Sequence, residues 1–155
     1  MNSYEEKLKQ YICENNIKAE HLTFTQSCHS VFDAAKAVGA EPTDFVKNIC
    51  MIDTENNLIV GIVKGEDKVD RVKVANLLSV DKLKMATPDQ ILRKTGYPCG
   101  GTPSFSYPAT FLIDPQVMEK KAVYSGGGSA QSVVKISPVE LQKANFGKIV
   151  GIRII

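Results

Sequence analysis

The chain contains no run of about 18 consecutive apolar residues, the length a membrane-spanning helix needs. Its first residues, Met1-Asn2-Ser3-Tyr4-Glu5-Glu6, do not place a basic patch ahead of an apolar stretch, so no signal peptide is read there. A cytoplasmic location with no membrane partner is the expectation. Cysteine is sparse and irregularly spaced, at Cys13, Cys28, Cys50 and Cys99. Without a Cys-x-x-Cys pair, neither a zinc knuckle nor a disulfide framework is implied, and the four read as reduced thiols. Histidine is limited to His21 and His29, too few for a histidine-rich metal centre, so a chemistry without metal or cofactor is expected. Net charge is also low. Nineteen basic against 17 acidic residues give +2, and no helix-turn-helix pair with a basic recognition helix is recognisable, which argues against duplex DNA as a partner.

What is present suffices for one domain with a real core: 155 residues, 43% of them apolar. The charges are polarised along the chain. Residues 21–63 hold Lys36 and Lys47 against five acidic residues, whereas residues 117–155 hold six basic residues against Glu119 and Glu140, so the C-terminal part is suited to face a polyanion.

Ser3-x-x-Glu6 reads as a capping box, and Tyr4, Leu8, Tyr11 and Ile12 at helical spacing predict an amphipathic helix over 4–14. Val31, Ala34, Ala35 and Val38 predict a second helix that Gly39 stops. Two β-rich runs, 45–53 and 58–63, flank the polar turn Thr54-Glu55-Asn56-Asn57 and read as a hairpin. Residues 64–84 suggest a short, exposed, charge-laced helix. Thr87-Pro88-Asp89-Gln90 opens another, with Gly96 as terminator. Beyond it are predicted a strand over 109–113, an Asp114-Pro115 turn, a short strand near Val123, a strand over 132–136, a helix opened by Ser137-Pro138-Val139-Glu140, and a closing strand over 148–155. Four or five helices and six or seven strands, without regular β-α-β alternation, predict an α+β domain with a mixed, largely antiparallel sheet or partial barrel flanked by short helices.

Three features carry chemical potential. In Phe45-Val46-Lys47-Asn48-Ile49-Cys50-Met51 a period of two sets Lys47 on a face with Phe45, Ile49 and Met51. An ammonium there is costly unless paired. Either it lines a cleft and meets a phosphate or a polarised carbonyl oxygen, or it sits on an edge strand and snorkels to water. The loops around Gly100-Gly101 and Gly126-Gly127-Gly128 allow close backbone approach and can turn N–H groups toward an oxyanion, although tight turns account for the same pattern. Neither is a Walker loop or a dinucleotide fingerprint. Cys28-His29 is geometrically poor as a nucleophile and its base, because neighbours on a strand point to opposite faces; His29 alone, just ahead of the second helix, is a candidate ligand contact.

In order and spacing, these pieces resemble the YbaK/prolyl-tRNA synthetase-associated domain family, the insertion-domain-like aminoacyl-tRNA deacylases. The likeness rests on Thr25-Gln26-Ser27-Cys28-His29-Ser30 and the helix after it, Phe45-Val46-Lys47-Asn48, Ala86-Thr87-Pro88-Asp89-Gln90, Thr95-Gly96-Tyr97-x-x-Gly100-Gly101, Ile113-Asp114 and Ser125-Gly126-Gly127-Gly128. It spans roughly residues 20–155, with residues 1–19 an added N-terminal helix on a single editing domain. It implies a hydrolase that cleaves the ester of misacylated tRNA, with Cys- or Ala-tRNA of the proline type as substrates and prolyl-tRNA synthetase as a further partner. The family's lysine falls on Lys47, with Gly100 and Gly101 as oxyanion donors, and His29, Thr102, Pro103, Gly126, Gly127, Gly128 and Ser129 bordering the substrate. The family's Gly-x-x-x-Pro loop is altered here, because Pro103 arrives one position early and Ser104 stands where proline is expected. A non-catalytic module that grips tRNA acceptor ends or a synthetase is the alternative.

Overall fold

The structure is a computed structural model that describes residues 2–25 and 31–155. The chain begins with α1 (Ser3–Glu14), whose cap is Asn2 rather than the expected Ser3, because Asn2 Oδ1 accepts the Tyr4 N–H at 2.8 Å. Strand β1 (Ala19–Thr23) follows, and then α2 (Val31–Val38), which ends as predicted at Gly39, with φ at +70°. After a 3-10 turn over Pro42–Asp44, the expected hairpin forms from β2 (Val46–Ile52) and β3 (Leu58–Lys64). Its turn is held by Asp53, whose Oδ1 accepts the N–H groups of Glu55 and Asn57. The charged segment supplies α3 (Arg71–Leu78), and here the expectation of an exposed helix is corrected: Val74 is fully buried and Ala75 nearly so.

A two-residue strand β4 (Lys84–Met85) leads to α4 (Pro88–Thr95), whose capping box forms as predicted between Thr87 and Gln90. Strand β5 (Thr110–Ile113) is followed by a short helix α5 (Pro115–Met118) in place of a plain turn, capped by Asp114. Then come β6 (Val123–Gly126), β7 (Ser132–Ile136), α6 (Pro138–Asn145) and β8 (Lys148–Ile149). The closing strand predicted over 148–155 is thus only two residues long. The rest of that tail is tied down by Asp114, whose Oδ1 accepts the N–H groups of Ile152 and Arg153.

The strands form two sheets, ordered β1-β7-β6 and β4-β2-β3-β5-β8. All pairs are antiparallel except β3 with β5 and β5 with β8. The domain is α+β with mixed sheets, and the sheets do not close into a barrel. They meet at a bridge between Phe45 and Tyr124, whose rings stack with centroids 5.0 Å apart. Alternation along β2 divides the interior. Val46, Cys50 and Ile52 enter the main core with Leu8 of α1, Ile91 of α4 and Leu141 of α6, while Met51 enters a second core with Val74 and Ile152. Phe45 and Tyr124 join a third with Ala34 and Ala35 of α2.

Candidate functional site

The site lies where β2 loses a neighbour. Strand β4 pairs only with Met51 and Ile52, so along its first half β2 has a free edge among the described residues. A cleft of about 360 Å³ opens along that edge, lined by Val46, Lys47, Asn48 and Ile49 on one side. The free edge explains why residues from both faces of one strand reach the same space. Lys47 is partly buried and is the one charged residue among the described residues that line the cleft. Its ammonium forms no hydrogen bond or ion pair within the described part of the chain.

The two glycine-rich loops close the cleft from the other side, and they are interlocked. Helix α4 ends at Gly96, with φ at +80°, and the buried Thr95 hydroxyl accepts the Tyr97 N–H at 3.0 Å, which turns the chain into the loop. There Gly101 N–H donates to Pro98 O at 3.0 Å, and Gly128 N–H donates to Gly101 O at 2.7 Å. A Cβ on Gly101 would lie 2.5 Å from the Ser129 nitrogen, and one on Gly126 would collide with the Thr102 carbonyl oxygen. Glycine is required at both positions by backbone contact. Gly100 has open space around it but a φ of +92°.

A partly buried ring of hydrogen bonds fastens these parts together. Asn48 Nδ2 donates to Thr102 O at 3.0 Å and to Ser125 Oγ at 3.2 Å. The Ser104 hydroxyl donates to Asn48 Oδ1 at 2.6 Å, which leaves Ser125 as the donor in its 2.6 Å contact with Ser104. Asn48, Ser125 and Ser104 thus close a three-membered cycle in which every donor meets an acceptor. Ser104, the residue standing in place of the family's proline, is fully buried and supplies a link that a proline has no hydroxyl to make.

Of the residues singled out in the sequence, Lys47, Gly100, Thr102, Gly126 and Ser129 line the cleft together. Gly101, Gly127, Gly128 and Pro103 do not line it. They form its supporting layer, with Pro103 O accepting the Tyr107 hydroxyl at 2.7 Å and Gly127 O held 2.7 Å from His21 Nε2. His29 and the Cys28-His29 pair lie outside the described residues. The Gly101 and Gly128 amides are already engaged, and the loop N–H groups left without a partner among the described lining residues are those of Cys99, Gly100, Thr102 and Ala130.

The roles of Asn48, Ser104 and Ser125 were not anticipated. Asn48 follows Lys47 in a strand where a partly buried amide calls for partners, which is the one signal the sequence carried. Burial pushes the Cys50 thiol up to about 12, with nearby Cys99 adding to the effect, so it remains neutral. Among the described residues, no three or more His, Cys, Asp or Glu side chains gather as a metal site would require, and no helix is long and apolar enough to cross a membrane.

A model of the aminoacyl-tRNA editing domain family matches residues 25–144. YwhH, an uncharacterized protein of Bacillus subtilis, is 23% identical over 144 residues, which cover 92% of this chain and 91% of YwhH. The proline–tRNA ligase of Trichlorobacter lovleyi is 30% identical over 94 residues, covering 61% of this chain but 16% of the ligase. A crystal structure of a candidate trans-editing enzyme for prolyl tRNA synthetase superposes with a TM-score of 0.93 at 20% identity, covering 100% of this chain and 99% of that one, a likeness of fold. With the family model matched across most of its length, the chain belongs to the aminoacyl-tRNA editing domain family.

Proposed function

We propose that the protein hydrolyses the ester between a wrong amino acid and the terminal adenosine of a tRNA, acting on mischarged tRNA of the proline type such as Cys- or Ala-tRNA. The observation that carries this reading is Lys47, a lone cation in an otherwise uncharged set of described lining residues, with both glycine loops on the same cleft. A single ammonium among neutral groups suits one anionic or strongly polarised oxygen, as at the terminal phosphate or the ester carbonyl.

An aminoacyl ester is activated, so positioning contributes more than a strong base. In the proposed step a water oxygen attacks the ester carbonyl carbon and the bond from that carbon to the ribose oxygen breaks. The water proton passes to the departing ribose oxygen, with the neighbouring ribose hydroxyl of the substrate as the group that orients the water. Gly100 and Thr102, whose N–H groups have no partner among the described residues, are the proposed donors to the tetrahedral oxyanion. The part first assigned to Gly101 passes to Thr102, because the Gly101 amide is held by Pro98 O. Gly126 and Ser129 border the nucleotide end, with Gly127 and Gly128 supporting them from behind.

The test mixes purified protein with alanyl-, cysteinyl- and seryl-tRNA and follows release of free amino acid. Release from at least one ester well above the spontaneous rate is expected. Salt-sensitive binding of the tRNA with no release from any ester would replace the reading with that of a binding module.

A further inference from the structure

We infer that Glu5 on α1 is a positioning residue for the cleft and acts through Ser129; the inference rests on the cleft being the aminoacyl-ester site. Helix α1 lies outside the matched family region, yet it touches both glycine loops. Glu5 is only 6% exposed, and its Oε2 accepts the Ser129 hydroxyl at 2.7 Å. The Ser129 oxygen accepts in turn from the Ser132 hydroxyl at 2.8 Å and from Gln131 N–H at 3.1 Å. Its single proton and both acceptor sites are therefore occupied, and its hydroxyl has nothing left for a ligand. Ser129 lines the cleft as a fixed part of the wall, and the carboxylate of Glu5 fixes it.

Two further contacts extend the brace. A Cβ on Gly128 would sit 3.0 Å from the Tyr4 carbonyl oxygen, so the second glycine loop lies flat against the first turn of α1. One turn on, Lys7 Nζ donates to Gly96 O at 3.3 Å and stands 4.5 Å above the Tyr97 ring, at the root of the first loop. A carboxylate is costly to bury so nearly completely, and a hydrogen bond to a charged acceptor is the stronger kind. Placing Glu5 here holds the amide geometry of residues 126–129 from outside the loop itself.

The experiment compares Glu5→Ala, Glu5→Gln, Ser129→Ala and the Glu5→Ala/Ser129→Ala double variant by two readouts. One is amide hydrogen exchange at residues 126–129 against that of β2 and β3. The other is KM and kcat for a misacylated tRNA. Glu5→Ala is expected to speed exchange at 126–129 by about tenfold or more while β2 and β3 keep their protection, and to raise KM about tenfold with kcat little changed. Glu5→Gln, whose amide oxygen still accepts from Ser129, should recover most of both effects. The double variant should be no worse than the more affected single variant.

Wild-type exchange at 126–129 in folded Glu5→Ala, or additive effects in the double variant, would overturn the inference. Should Glu5→Ala fail to fold, Ser129→Ala reads the same bond and decides the matter by the same criteria. Wild-type protein without hydrolysis would defeat the proposed function, and the exchange data would still decide the role of Glu5.

Discussion

Asn48 Nδ2 donates to the Thr102 carbonyl oxygen at 3.0 Å, so the residue after Lys47 is bonded directly to the loop across the cleft. The strand that carries the cation and the loop that carries the free amides are held in one register by that amide. Removing it leaves the Ser104 hydroxyl without its acceptor and the Thr102 carbonyl without its donor. Asn48→Ala is expected to destabilise the protein by about 1–3 kcal/mol, measured by urea unfolding. Ester hydrolysis should fall by more than the loss of folded protein explains.

Gly100 and Gly101 are neighbours with different requirements. Gly101→Ala forces the loops apart, since the new methyl meets backbone atoms of residues 128 and 129 that cannot swing away. A loss of about 3 kcal/mol or more is expected. Gly100→Ala meets open space and carries only the strain of φ at +92°, about 1–2 kcal/mol. Thermal melts of the two variants should separate clearly in that order.

Asp114 is 1% exposed and ties the C-terminal tail to the start of α5, accepting from Ile152, Arg153 and Gln116 N–H groups. Asp114→Ala should cost about 2–4 kcal/mol, because one buried and two partly buried amides lose a charged acceptor together. Amide exchange at Ile152 should speed up before that of β3 does.

The Cys50 thiol, raised to about 12 by burial, makes stability fall at alkaline pH. An unfolded cysteine loses its proton near the ordinary value of 9.0, whereas the folded one keeps it. The contribution is fully present below pH 9 and is lost as pH rises toward 12. Over that window Cys50 contributes a slope of up to about 1.4 kcal/mol per pH unit, and Cys50→Ala should flatten the measured curve. Tyr107, whose hydroxyl is also raised by burial, adds to the fall above pH 10 and leaves a residual slope in the variant.

Local chemistry made much of the fold legible. Thr87 and Gln90 announce α4 because two side chains satisfy two orphan N–H groups, and residues 58–63 read as a strand because they form a β-rich apolar run, all six residues of which are buried in β3. What escaped depends on distant partners. Strand β1 mixes Glu20 and His21 with Leu22 and forms a strand because β7 lies beside it in register, Ala19 opposite Ile136 through Thr23 opposite Ser132. The tail beyond Ile149 makes only an isolated antiparallel bridge, Arg153 with Val69, and is also ordered by Asp114, 38 residues away from Ile152 in sequence. At the site, the residue types were visible, but which amides are free was not. Gly101 and Gly100 look alike in sequence, and it is the turn to Pro98 O that engages the amide of one and not the other.

Substitution of Lys47 tests the account most directly. Lys47 lacks a partner among the described residues, so Lys47→Ala should leave the melting temperature within about 2 °C of wild type, as expected of a residue kept for chemistry rather than stability. Release of amino acid from misacylated tRNA should meanwhile fall by about a hundredfold or more. A folded Lys47→Ala protein that hydrolyses the ester at the wild-type rate would contradict the account.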